Sequence, residues 1–163
     1  MKKNRISKNW INKQRRDIYV RQSKIEGYRS RAVYKLKEIN DKFNILRNGQ
    51  SIVDLGGAPG SWSQYLSSTL KNTKLLAIDL LEIQEIKNVK LMKGDFTDDI
   101  YKQKIKSFFN TKIDLVISDM AVNTTGNKNL DAIVTGELAM ESIEFAKEML
   151  KTNGQFVTKI FMG

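Results

Sequence analysis

The chain has 163 residues, 40% hydrophobic and 28% charged, with 28 Lys and Arg against 18 Asp and Glu, which is the length and composition of one globular domain with its own core. It contains no cysteine and no histidine, which excludes disulfides, a thiolate nucleophile, a Cys/His zinc site and an imidazole base. No apolar run approaches the ~20 residues that cross a bilayer, and no signal-peptide core follows the basic N-terminus, so a cytoplasmic protein with no membrane and no metal partner is expected.

The net charge of +10 is unevenly placed: Met1 to Lys37 hold thirteen of the 28 cations and only two acids, Asp17 and Glu26. With Asp17 as the first acid, an organelle-targeting segment is the alternative reading of this end. Trp10, Tyr19, Tyr28 and Tyr34 are interleaved with the cations, a mixture that suits phosphate contacts and stacking on unpaired bases. Residues 1–29 are therefore read as a basic RNA-binding arm, with Arg15, Arg16, Arg21, Lys24, Arg29 and Arg31 as candidate contacts. A solvated arm without a partner is the competing reading.

After the arm, Ala32, Leu36, Ile39 and Phe43 recur at three- and four-residue spacing and predict a helix over Ser30 to Phe43. Asn48-Gly49 marks a turn, and Ser51 to Leu55 reads as a first strand. The glycine loop GGAPG follows, with a helix expected from about Ser61 to Leu70. Further strands are expected at Leu75 to Leu80, Val89 to Met92, Asp114 to Ser118 and Gln155 to Phe161. Helices are expected at Asp98 to Phe109 and Leu130 to Leu150, the last stopped by Asn153-Gly154. Strands that alternate with helices and read as apolar runs predict a doubly wound α/β domain with a mainly parallel sheet over 30–163.

In such a domain ligands sit beyond the carboxyl ends of the strands. The loop there is flexible at Gly56, Gly57 and Gly60, Pro59 fixes φ just before the helix, and the helix start offers free N–H groups. Four acids lie at or just past the strand ends, namely Asp54, Asp79, Asp95 and Asp119, and clustered carboxylates require cations or hydroxyl donors. The glycines cannot be arranged as G-x-G-x-x-G, and no G-K-[ST] follows, so a dinucleotide and a P-loop nucleotide are both disfavoured. S-adenosylmethionine fits better: its amino-acid end suits the glycine turn, Asp79 can accept the ribose hydroxyls, Asp95 the adenine amino group, and Asp119 faces the cationic end. Trp62 either packs on this ligand or belongs to the core.

A missing cysteine disfavours ring-carbon methylation of pyrimidines, and with Pro59 as the only proline the Asx-Pro-Pro loop common in base-amine methylation is absent. A ribose 2′-hydroxyl remains, and its proton must be removed by another group. Lys35 and Lys159 are the candidates, the second because VTKIF places an ammonium inside an otherwise apolar strand.

The segments YRSRAVYKLKEI, VDLGGAPGSWSQYL, AIDLL, GDF, SDMAVN and FVTKIFMG resemble, in order and spacing, the FtsJ-like RNA ribose 2′-O-methyltransferases, most closely the bacterial branch acting on large-subunit ribosomal RNA. The resemblance runs from Tyr28 to Gly163. It implies a Rossmann-like, S-adenosylmethionine-dependent enzyme acting on ribosomal RNA of the large subunit, and a monomer is expected. Transfer RNA or an mRNA cap is the alternative acceptor, and an RNA-binding module without turnover is the alternative of another class. By the same resemblance Lys35, Asp119 and Lys159 correspond to three members of a K-D-K-E tetrad, with Lys159 accepting the proton. Gly60, Trp62, Asp79, Asp95 and Asp119 correspond to donor contacts, with Gly56 and Pro59 in the same loop. Two departures stand out: Val122 replaces a proline of the family motif, and the family continues past the position of Gly163 through a strand pair that carries the tetrad's glutamate. A fragment, or a truncated enzyme of weakened activity with an exposed sheet edge, is the expectation.

Overall fold

The computed structural model describes residues 8–120 and 126–160. Val122 and Gly163 lie outside these residues, as do the side chains of Trp10 and Arg15. The elements in order are α1 (Lys8–Ile25), α2 (Val33–Phe43), β1 (Ser51–Leu55), α3 (Ser61–Thr69), β2 (Lys74–Asp79), β3 (Val89–Lys93), α4 (Asp99–Phe109), β4 (Ile113–Ser118), α5 (Lys128–Met149) and β5 (Leu150–Thr158). All strand pairs are parallel, and the order β3-β2-β1-β4-β5 makes β1 the centre. The expected doubly wound architecture is thus the observed one, with its switch point between β1 and β4.

The central strands are buried on both faces, so they read as unbroken apolar runs. On one face Val53, Leu55, Leu76, Ile78 and Val116 pack against Ile105 and Phe109 of α4 and Phe145 and Met149 of α5. On the other, Ile52, Leu75, Leu115 and Ile117 pack against Leu36 of α2 and Trp62 and Leu66 of α3. Asp98 caps α4 by accepting from the Ile100 N–H, and Asn127 caps α5 by accepting from those of Asn129 and Leu130.

Three expectations need correction. The basic arm is helical over α1, and three of the four interleaved aromatics are engaged: the Tyr19 ring stacks on Tyr34 at 5.0 Å, Tyr28 meets Tyr34 and Tyr65 edge-on, and the Lys37 ammonium lies over the Tyr28, Tyr34 and Tyr65 rings. Tyr19 also donates to Glu38 at 3.0 Å. These rings fasten α1 to α2 and α3 instead of standing free for bases, because a docked aromatic removes more apolar surface from water than a solvated one.

The predicted helix over Ser30 to Phe43 starts later, at Val33, since Ser30 Oγ lies 2.8 Å from Ser61 Oγ and holds the preceding turn against α3. The last strand also differs. It begins at Leu150, directly after α5, and carries a bulge: β4 advances two residues from Ile113 to Leu115 while β5 advances five, from Leu150 to Gln155. Asn153-Gly154 serves this bulge, with Asn153 at φ 68°, rather than a helix end. Strand β5 ends at Thr158, so Lys159 sits just beyond it and not in its middle; the Lys159 N–H still donates to Ser118 O at 3.0 Å.

Trp62 is 4% exposed, and its indole N–H donates to Ala32 O at 2.7 Å, joining α3 to the start of α2. Replacing Trp62 by Phe keeps a ring and removes this hydrogen bond, while Ala32 O still accepts from the Lys35 N–H at 3.1 Å, so the expected cost is about 0.5–1.5 kcal/mol. Trp62→Ala leaves a cavity and is expected to cost about 3–5 kcal/mol. Denaturant unfolding of the two variants checks both values.

Candidate functional site

The carboxyl ends of all five strands converge on one rim. After β1, the Gly56 and Gly57 N–H groups donate to Ile78 O at 2.9 and 3.2 Å, which folds the glycine loop back over β2. Gly56 has φ +68°, and a Cβ there would lie 2.0 Å from Met120 Cγ, so only glycine fits beneath that side chain. At the end of β2, Asp79 Oδ2 accepts from the Ala58 N–H at 2.9 Å and Oδ1 from the Leu81 N–H at 2.8 Å. Past β3, Asp95 Oδ1 accepts from the Thr97 N–H and hydroxyl at 2.9 and 2.7 Å.

Asp79, Asp95 and Asp119 line one cavity of about 630 Å³, with Gly56, Ala58 and Met120 at the loop side. Leu80 and Leu81, both largely exposed, form its outer lip. Phe96, Leu138 and Glu141 complete the wall and were not singled out from the sequence. Phe96 had a signal, being the neighbour of Asp95 in GDF. Leu138 and Glu141 had none, because only the packing of α5 brings them there.

Asp119 follows β4 and is the centre of a charge triad. Lys35 of α2 places Nζ 3.1 Å from both of its carboxylate oxygens, and Lys159 Nζ lies 3.0 Å from Oδ1. The Asp119 side chain is 15% exposed and that of Lys159 23%, while Lys35 is 47% exposed. Two ammoniums thus hold one carboxylate at the cavity edge, and three residues 84 and 40 positions apart in the chain meet in one place.

Asp54 departs from the expected ring of four acids. It is 3% exposed and lies under the glycine loop, accepting from the Ser63 hydroxyl at 2.7 Å, and it does not line the cavity. Burial pushes its carboxyl up to about 7, opposed by the Ser63 hydrogen bond and reinforced by the negative charges of Asp119 and Asp79. Its place is a support for the loop.

Pro59, Gly60 and Trp62 do not line the cavity either. Pro59 is at the outside of the loop, Trp62 is in the core, and a Cβ on Gly60 would meet the Arg29 guanidinium and Ile86 on the loop's far side. Among the basic candidates, Arg16, Arg21, Lys24 and Arg31 are exposed. The Arg29 guanidinium instead faces inward and donates to three main-chain carbonyls, of Pro59, Gln84 and Glu85.

A glycine loop, a carboxylate at each of three strand ends and a Lys-Asp-Lys triad are the geometry against which similarity can be weighed. The FtsJ-like methyltransferase family matches residues 28–163. The chain belongs to that family. It is 63% identical, over all of its length and 80% of the relative's, to a protein of Pelagibacter ubique (strain HTCC1062) named ribosomal RNA large subunit methyltransferase E. A protein of the same name from Rickettsia akari (strain Hartford) is 45% identical over 96% of this chain and 72% of its own length. Among solved structures, a Plasmodium falciparum protein described as a ribosomal RNA methyltransferase superimposes with a TM-score of 0.77 at 32% identity, covering 83% of this chain and 80% of that one. Membership of this methyltransferase family implies a methyl donor of the S-adenosylmethionine type. The cavity suits one chemically: carboxylates for hydroxyl and amine donors, and an apolar wall of Leu81, Phe96 and Met120 for a flat ring.

The buried Asp54 makes stability depend on pH. Folded Asp54 keeps its proton up to about 7, whereas in the unfolded chain it is lost near 3.8, so the folded state binds more protons between those values and stability falls as pH rises through them. Relative to Asp54→Asn, the unaltered chain is expected to lose on the order of 4 kcal/mol between about pH 4 and about pH 8. Urea unfolding of both proteins at the two pH values measures the difference.

Proposed function

We propose that the chain transfers a methyl group from S-adenosylmethionine to a ribose 2′-hydroxyl of large-subunit ribosomal RNA, as a monomer in the cytoplasm. The observation that carries this reading is Asp119 held between Lys35 and Lys159 beside the carboxylate-lined cavity. The names of the similar proteins support ribosomal RNA as the substrate. Residues 1–29 form the RNA-binding part, through the exposed Arg16, Arg21 and Lys24 with Arg31 just beyond them, and 30–163 form the methyltransferase domain.

The glycine loop, Asp79 and Asp95 hold the donor. Each Asp79 oxygen already accepts one main-chain N–H and keeps a further acceptor position for a ribose hydroxyl. When bound, S-adenosylmethionine supplies an electrophilic methyl on a sulfonium centre. Lys159, as the amine, takes the proton from the acceptor hydroxyl as that oxygen attacks. Asp119 fixes the Lys159 Nζ, and Lys35, bonded to both oxygens of Asp119, anchors that carboxylate and donates toward the acceptor oxygen. The chemistry is mainly placement of two reactants and removal of one proton.

Lys159→Ala is expected to lower methyl transfer about 10²–10⁴-fold, the usual contribution of a positioned base. Lys159→Arg is expected to stay equally slow, since a guanidinium does not give up its proton. Transfer of labelled methyl to large subunits lacking the modification, followed by mapping of 2′-O-methyl positions in pooled RNA, provides the readout. Donor and RNA binding by the unaltered chain without any transfer would favour a noncatalytic RNA-binding module, and label on transfer RNA or a cap would move the acceptor.

Asp79→Ala is expected to weaken S-adenosylmethionine binding at least about tenfold, the loss of ~1.4 kcal/mol. RNA affinity and its salt dependence should stay as they are, which titration calorimetry and filter binding check together.

A further inference from the structure

Arg29 carries the same positive charge as its neighbours but is bonded differently. Its Nη1 donates to Pro59 O at 3.0 Å and to Gln84 O at 2.8 Å, and its Nη2 donates to Glu85 O at 2.7 Å. Pro59 belongs to the glycine loop, whose Gly56 and Ala58 line the cavity. Gln84 and Glu85 belong to the β2–β3 connection, which starts with Leu80 and Leu81 at the cavity's lip. One guanidinium therefore joins the two loops that bound the donor cavity on its outer side.

The rest of the segment is tied down as well. The Arg29 N–H donates to Gln64 Oε1 at 3.2 Å, and Gln64 Nε2 donates to Gly27 O at 2.9 Å. Gly60, at φ +107°, has room for no side chain: a Cβ would lie 2.8 Å from Arg29 Nη1, 2.8 Å from Ile86 Cδ1 and 3.1 Å from Ile83 Cγ2. Ile83 and Ile86 are themselves buried against Ala77 and Ala58. This packing by itself requires the glycine at 60.

We propose that Arg29 is a positioning residue for the donor cavity, clamping the glycine loop to the β2–β3 loop, and is not a phosphate contact of the basic arm. The proposal rests on the donor reading of the cavity. Three carbonyls converging on one planar fork are matched by a guanidinium and not by the single point charge of an ammonium. A phosphate at Arg29 would have to displace those carbonyls and leave them unpaired.

Arg29→Lys keeps the charge and removes the fork; Gly60→Ala keeps the arginine and crowds it out. Both are compared with the unaltered chain in three measurements: hydrogen exchange without donor, S-adenosylmethionine titration, and binding of a large-subunit ribosomal RNA fragment over a range of salt. The clamp predicts at least about tenfold faster exchange at Gly56, Gly57 and Ala58 in both variants, and about tenfold or more weaker donor binding, equivalent to ~1.4 kcal/mol. RNA affinity and salt slope stay unaltered. Unchanged loop exchange in Arg29→Lys, or an Arg29→Ala variant whose salt slope drops by about one phosphate contact with the loops unaffected, would overturn it. If the unaltered chain binds no S-adenosylmethionine while loop exchange still rises in the variants, the donor reading fails and the clamp stands.

Discussion

The site depends on how one residue, Asp79, closes three segments at once. Its carboxylate accepts from Ala58 in the glycine loop and from Leu81 just after its own strand, and its carbonyl accepts from the Gly94 N–H past β3. Because β2 lies between β1 and β3 in the sheet, this residue reaches both neighbours without distorting either. Hydrogen bonds to a charged acceptor are roughly twice as strong as neutral ones. The cavity therefore has a fixed floor even though much of its wall, apart from Leu138 and Glu141 of α5, is loop.

Charge is handled in three different ways around that floor. Asp119 is compensated by two ammoniums, Asp79 by main-chain N–H groups, and Asp54 by burial that favours its protonated form together with one hydroxyl. Carboxylates this close repel unless each finds its own answer. Among the described side chains, Lys13, Arg16, Arg21 and Lys24 of α1 and Arg31 of the turn into α2 are exposed cations that can attract a polyanion over a Debye length of about 10 Å.

The sheet was legible in the sequence because its central strands are buried on both faces, so Ile52–Leu55, Leu75–Ile78 and Leu115–Ser118 carry almost no polar interruption. Asp79, Asp95, Asp119 and Lys159 were legible because their types are costly at strand ends or inside apolar runs unless something balances them, whereas Lys35, on a half-exposed helix face, was marked by the family motif around it. Helix α1 was not: KNWINKQRRDIYVRQSKI has no apolar stripe, and among its described side chains Tyr19 docks it, stacking on Tyr34 and donating to Glu38. Arg29 could not be told from its neighbours for a similar reason. Composition counts it with the cations around it, and only the direction of its guanidinium separates it from them. Trp62 left two readings open, and a hydrogen bond to Ala32, thirty residues away, places it in the core.

The bulge in β5 has a geometric effect on the triad. Successive strand residues point to opposite sheet faces, so the three extra residues between Leu150 and Gln155, an odd number, exchange the faces of everything that follows. Continued in the register of Ile113 with Leu150, an unbulged β5 would set Phe156 opposite Asp119 and carry Lys159 three residues further, about 10 Å along the strand and on the other face. With the bulge, Ser118 pairs with Thr158 and the next residues on each strand are Asp119 and Lys159, pointing the same way. The parity of a surface irregularity at one end of the sheet thus decides which amine stands beside the carboxylate at the other.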